Sequence, residues 1–154
     1  MNNSQNSAFS NLILRALPVA ELENLRSYLE PIELHYGDVI YRAGEQIEYI
    51  YLPESGLVSM QTVFMDGSYV ESGLIGADGA VGTCLALAQA ISNRQAFVQI
   101  SGNAYRLRAK DFSTAIKENA VFNRLILRFM FTLIEQAAQI GACNCSHPIN
   151  YRLV

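Results

Sequence analysis

A single cation, Arg94, stands in the stretch between Arg42 and Arg106. The guanidinium is planar and offers paired N–H donors, so an isolated arginine among neutral residues suits a phosphate or carboxylate gripped through parallel hydrogen bonds. A solvated arginine on a surface loop would look the same in sequence, and both readings stand at this level. Groups that hold metals or attack substrates are sparse. The chain has three cysteines, Cys84, Cys143 and Cys145, and two histidines, His35 and His147. Cys143 and Cys145 are separated by one residue, closer than the roughly two to four of a zinc pair, and no second pair exists. His147 then reads as structural, and His35, in a strand-like run, as sheet surface rather than an axial ligand for haem. Nothing near Cys145 lowers its pKa visibly enough to make it a sensing thiol. No Gly-x-Ser-x-Gly elbow occurs, and one histidine in the strand-rich region cannot supply the ligand set of a metal-dependent oxygenase. The expectation is a binding protein with no catalytic residues and no metal, not an enzyme.

Length and composition bound the scaffold that would hold such a site. With 154 residues, 51% of them hydrophobic, the chain can bury one sizeable core. No apolar run reaches the ~18–20 residues of a membrane span. The polar, uncharged start, Met1 to Ser7, has no basic patch leading into an apolar core, so residues 1–11 read as a disordered N-terminus rather than a signal peptide. An odd cysteine count fits a reducing compartment, and the expected location is the cytoplasm. Charge is uneven: residues 1–103 hold four basic and eleven acidic side chains, and residues 104–154 hold seven basic and three acidic. Duplex DNA is gripped mainly through its phosphates by dense basic faces, and no such face exists here.

Three stretches follow from periodicity. In residues 10–30, Leu12, Ile13, Leu17, Leu22, Leu25 and Leu29 recur at three- and four-residue steps, the mark of short amphipathic helices, with Pro18 at a first helical position and Pro31 at the end. Residues 32–109 contain nine of the ten glycines and, between them, short β-branched and aromatic runs that predict seven or eight strands. Asp66-Gly67 is the strongest turn signal, because both residues tolerate the positive φ of a tight hairpin. Many short strands without intervening helices predict an antiparallel sandwich or barrel. From residue 110 the pattern returns to helix: a short one from Lys110, then a longer one that Asn119 could cap. Its apolar positions persist for about six turns, ~35 Å. That stripe is too wide for one small barrel, so one side would meet the barrel and the other a second copy in a coiled-coil-like homodimer. A core helix in a larger fold is the alternative. His147-Pro148 then breaks the helix.

Order and local motifs together resemble Crp/Fnr-type transcription regulators. Leu17-Pro-x-x-Glu-Leu-x-x-Leu resembles their opening helix, and residues 36–46 (Tyr-Gly-Asp-Val-Ile-Tyr-Arg-Ala-Gly-Glu-Gln) the turn of their first hairpin. Residues 49–58 are similar to a strand pair of these proteins, and residues 76–82 and 142–153 to one subgroup, in which the last segment leads into a helix-turn-helix domain. The resemblance covers residues 12–154 and implies a mainly β fold with flanking helices. More closely, it implies a double-stranded β-helix, or jelly roll, of the cyclic-nucleotide-binding type with a long C-terminal dimerisation helix. Residues 12–117 would form the barrel with its N-terminal helices, residues 118–146 the dimerisation helix, and residues 147–154 the start of a link to a DNA-binding domain that is not in this chain.

The same resemblance locates a ligand site. In the family a glycine turn presents backbone N–H groups to a cyclic phosphate and a glutamate to the ribose, while a downstream arginine and small hydroxyl residue hold the phosphate. The matching positions here are Val81, Gly82, Thr83 and Cys84, then Arg94, Gln95 and Ala96. Arginine and glycine are kept, but Thr83 stands for the glutamate and Gln95 for the hydroxyl residue. Losing that carboxylate removes a charge-assisted hydrogen bond worth about 1.5–3 kcal/mol. A cyclic nucleotide, another small anion, or no effector at all are therefore the open alternatives. Gln136 would face the base of a bound nucleotide. Phe122, Leu125, Ile126, Phe129, Leu133, Ala137 and Ile140 would form the dimer interface. The expected function is effector sensing and dimerisation within a bacterial regulator that reaches DNA through its other domain. The alternative is a degenerate barrel that binds no ligand and serves as a dimerisation scaffold.

Overall fold

The structure, a computed structural model, describes residues 8–146; the side chains of Ile140 and of residues 143–146 are outside the description. The segment 147–154, expected to lead to a further domain, and the cysteine pair's side chains thus lie outside the described residues. Two short helices, α1 (Leu12–Arg15) and α2 (Val19–Arg26), open the chain. Seven strands follow: β1 (Glu30–Leu34), β2 (Val39–Tyr41), β3 (Tyr49–Pro53), β4 (Leu57–Val63), β5 (Tyr69–Ile75), β6 (Arg94–Ile100) and β7 (Gly102–Arg108). A 3₁₀ turn, Thr83–Leu87, lies between β5 and β6, and α3 (Ala109–Glu118) and α4 (Ala120–Ser146) close the chain.

The strands form two antiparallel sheets, β1-β7-β3 and β2-β6-β4-β5, and two isolated bridges, Gln46 to Ile91 and Tyr51 to Val81, extend the pairing. This is the mainly β jelly-roll with flanking helices that the sequence predicts. Alternation along the strands sets the inner faces. Val58, Met60, Ala96 and Val98 come from one sheet and Leu34, Ile50, Leu52 and Leu107 from the other, all buried. The Asp66-Gly67 hairpin forms as expected: Gly67 has φ +82°, Phe64 N–H donates to Ser68 O at 2.8 Å, and Asp66 accepts from the Ser68 N–H and hydroxyl. Pro31 sits inside β1 rather than ending a helix. As an edge strand, β1 loses little from the missing N–H. Pro18 precedes the first residue of α2, one place earlier than expected.

Residues 8–11 are not a disordered start. Phe9 is buried against Tyr105, with ring centroids 5.2 Å apart. Asn11 is fully buried: its carbonyl oxygen caps α1 by accepting from Ile13 and Leu14 N–H, and its amide donates to Pro53 O and Gly79 O, both at 2.9 Å. One side chain therefore satisfies four backbone groups that burial would otherwise leave unpaired.

The long helix α4 is started by Asn119, whose side-chain oxygen accepts from Phe122 N–H at 2.8 Å. Asn119→Ala is expected to cost about 0.5–2 kcal/mol, read as a lowered urea midpoint, because this cap is itself buried. One face of α4 closes the core: Phe122 and Ile126 are fully buried, and the Phe122 ring meets Phe112 edge-on at 5.9 Å. Both had been expected at a dimer interface; their burial inside their own chain removes them from it. Leu125, Phe129 and Leu133 are half-buried and Ala137 exposed, while the Ile140 side chain lies outside the description. Phe129 lies so close over Gly79 that a Cβ there would overlap its ring. Among the described large apolar side chains of α4, those left standing in solvent are Leu127, Phe131 and Ile134, at 42, 62 and 63% exposure.

Candidate ligand-binding site

The sequence around the 3₁₀ turn forces an abrupt change of direction. Val81 is locked to Tyr51 by reciprocal backbone hydrogen bonds of 2.8 and 2.9 Å, and Gly82 then turns at φ +92°. A side chain at Gly82 would be strained by that φ and would meet Tyr49 O at 3.0 Å, so glycine alone lets the turn lie this close to β3. Thr83 and Cys84 follow on the first turn of the 3₁₀ helix. Thr83 is only 8% exposed, and its side chain makes no hydrogen bond to any described residue. Burial pushes the Cys84 thiol above its ordinary pKa, with the Arg94 charge opposing that push.

Arg94 begins β6 and shares the inward register of Ala96 and Val98. Its backbone N–H donates to Ser92 Oγ at 3.1 Å, and among the described residues its side chain has no ion-pair partner. Beside it stands Tyr41 on β2, 6% exposed, whose hydroxyl finds only the sulfur of Met60 at 4.0 Å. Burial raises the Tyr41 phenol well above its usual pKa, again opposed by the Arg94 charge, so it stays a proton donor.

These groups line a cavity of about 290 Å³ between the barrel and α4. The barrel contributes Tyr41, Met60, Gly82, Thr83, Cys84 and Arg94, and α4 contributes Met130, Leu133, Ile134, Gln136 and Ala137. No aspartate, glutamate or histidine lines it. A larger groove of about 790 Å³ runs along the other flank of α4 past Leu12, Leu74, Leu127 and Phe131. It is open and includes none of the glycine-turn residues, so the smaller cavity is the better ligand site.

Of the positions expected from sequence, Gly82, Thr83, Cys84, Arg94 and Gln136 converge on this cavity. Val81 and Ala96 are fully buried beside it and do not line it. Gln95 faces the other side of its strand, where its amide donates to Gln61 Oε1 at 2.7 Å. Leu133 and Ala137, expected at a dimer interface, line the cavity. Tyr41 was missed. Its place beside Arg94 comes from the pairing of β2 with β6, which sets Tyr41 opposite Ala96. His35 is exposed just after β1, between Glu33 and Asp38 at 3.6 Å each. Among the described residues no cluster of histidine, cysteine and carboxylate side chains could hold a metal, and no helix is long and apolar enough to cross a membrane.

Residues 31–119 match the family described as Cyclic nucleotide-binding domain. Among curated proteins no sequence matches. Solved structures share the fold at low identity. The N-terminal domain of a transcriptional regulator from Streptomyces coelicolor A3(2) is 15% identical, with TM-score 0.61 over 84% of this chain and 90% of that one. The Thermus thermophilus Catabolite Activator Protein is 17% identical, with TM-score 0.68 over 82% of this chain and 60% of that one. A mutant regulatory subunit of a cAMP-independent protein kinase A from Trypanosoma brucei, bound to cAMP in its A site, is 17% identical, with TM-score 0.68 over 91% of this chain and 50% of that one.

Proposed function

Because this chain belongs to the cyclic nucleotide-binding domain family, we propose that it is the effector-sensing and dimerisation part of a cytoplasmic, DNA-binding transcription regulator, with no catalysis of its own. One observation carries the reading. The cavity is walled on one side by the glycine turn and Arg94 and on the other by Met130 to Ala137 of α4, so whatever fills it touches both barrel and helix. A ligand shifts an equilibrium only through such differential contact, and couplings between sites are typically about 1–3 kcal/mol. The absence of any carboxylate or histidine from the lining supports binding over chemistry, since no base is present to activate a nucleophile.

Dimerisation rests on the solvent-facing stripe. Leu127, Phe131, Ile134, Ala138 and Gly141 follow one another at steps of four and three, all of them exposed. That is the spacing of a coiled-coil seam, with small residues toward its end. A second copy of α4 is the partner that this pattern fits. DNA would be met through a separate domain, since no dense basic face for it exists among the described residues.

The test is thermal denaturation of the chain with cyclic AMP, cyclic GMP and a panel of anionic metabolites. A ligand at a hundred times its Kd stabilises the native state by ~2.7 kcal/mol, a clear rise in Tm. The expected result is a rise with at least one anion that disappears in Arg94→Gln while the dimer persists. No rise with any of them would favour the ligand-free scaffold, and an undiminished rise in Arg94→Gln would remove Arg94 from the site.

A further inference from the structure

We propose that the cavity takes an organic carboxylate with an apolar body, an amphipathic monoacid, and not a cyclic nucleotide. The inference rests on the effector-site reading above and narrows it. The polar groups free to meet a ligand form one small cluster. Arg94 has no ion-pair partner among the described residues, the buried Tyr41 hydroxyl has only a thioether sulfur, and the buried Thr83 hydroxyl has no side-chain hydrogen bond. A sulfur is a weak acceptor, so Tyr41 keeps a donor to give. A guanidinium fork beside a phenol supplies what the two oxygens of one carboxylate require, and the single positive charge matches a single negative one.

Beyond that cluster the walls are mainly apolar. Met60, Ile75, Leu87, Met130, Leu133 and Ile134 surround most of the remaining volume, with the Gln136 amide at its edge; the two serine hydroxyls of the lining are already engaged, Ser72 donating to Met60 O and Ser92 accepting from the Arg94 N–H. A ribose carries hydroxyl donors that need acceptors. The position from which the family presents a glutamate is held by Thr83, and no other carboxylate lines the cavity. The small hydroxyl expected next to the arginine is replaced by Gln95, which is turned away and tied to Gln61. Burying sugar hydroxyls against methionine and leucine leaves them unpaired, whereas an alkyl or aryl body gains from the same contact. The cavity, at about 290 Å³, lies at the small end of ligand sites and suits a compact molecule.

The experiment is isothermal titration of the full chain with octanoate, 4-phenylbutyrate, 4-phenylbutanamide and cyclic AMP, repeated on Arg94→Gln and Tyr41→Phe. The expected result is that one of the acids binds at least about tenfold more tightly than cyclic AMP, a difference of ~1.4 kcal/mol. The neutral amide binds weakly. Arg94→Gln loses the acid, and Tyr41→Phe, which keeps the ring and the packing, weakens it about tenfold. Cyclic AMP binding as tightly as the acids overturns the inference and leaves the effector reading standing. No binding by any probe overturns the inference, and the effector reading then stands or falls on the wider panel of anions. An acid bound equally well by Tyr41→Phe, or an amide bound as well as its acid, overturns the paired-donor recognition.

Discussion

Phe122→Ala is expected to lower the stability of the chain by about 3–5 kcal/mol, the cost of deleting a large aromatic from a closed core. The ring is fully buried and packs edge-on against the equally buried Phe112. The loss joins the apolar transfer term, the cavity left behind, and an aromatic pair worth about 0.5–1.5 kcal/mol. Small domains are stable by about 5–15 kcal/mol, so the variant would sit near the edge of folding. Urea denaturation followed by circular dichroism reads the effect directly. A normal midpoint, accompanied by loss of the dimer, would put Phe122 back at a partner's surface and overturn the assignment of α4's inner face.

The second large effect concerns the opposite face. With α4 paired to a second copy as proposed, Phe131→Glu combined with Ile134→Glu should convert that dimer to monomers while the urea midpoint of each chain hardly moves. Both side chains are more than half exposed in the single chain, so charging them costs the monomer little. At the centre of a helical seam each would bring carboxylates of two copies together in an apolar contact. Truncating such central residues typically costs about 2 kcal/mol or more each, so association should weaken by at least about a hundredfold. Sedimentation equilibrium measures this, and a variant that stays dimeric would place the interface elsewhere. Leu133 and Ile134 both line the cavity, so the Ile134 half of the double variant also touches the proposed ligand site, whereas Phe131 lies outside it and Phe131→Glu alone tests the seam separately.

Those two predictions mark what the sequence could and could not say. The strands were legible because glycines punctuate them and alternation sets their faces, as with the Asp66-Gly67 hairpin; the Asn119 cap was legible because the residue type is matched to one local job. The faces of α4 were not. Phe122, Leu125, Ile126, Leu127, Phe129, Met130 and Phe131 leave hardly a polar interval, so periodicity gives a helix without an orientation. Only packing on α3 and on Gly79 decides which residues turn inward. Asn11 and Phe9 were lost to composition, because a polar leader conceals two residues whose partners lie far along the chain. At the site, Arg94 and Gly82 carried their own chemical signal. Tyr41 did not, since its role depends on a strand pairing that brings it beside a residue over fifty positions away. Gln95 could have been placed outward by alternation from Arg94, but the resemblance outweighed the register.

The unequal anchoring of α4 has a mechanical consequence. Phe122 and Ile126 fix its first turns in the core, and the Phe129 ring rests on Gly79, while past the cavity-lining Ala137 the described side chains are exposed. The helix is thus a lever whose fulcrum lies beside the cavity. From Phe129 to Ser146 the arm is about 25 Å long, so a tilt of roughly 10° at the fulcrum would swing its tip by about 4 Å, somewhat less than the ~5.4 Å pitch of one helical turn. A ligand in the proposed site that moved Met130 and Leu133 by a fraction of an ångström would act on the short arm, and the displacement would grow along the long one.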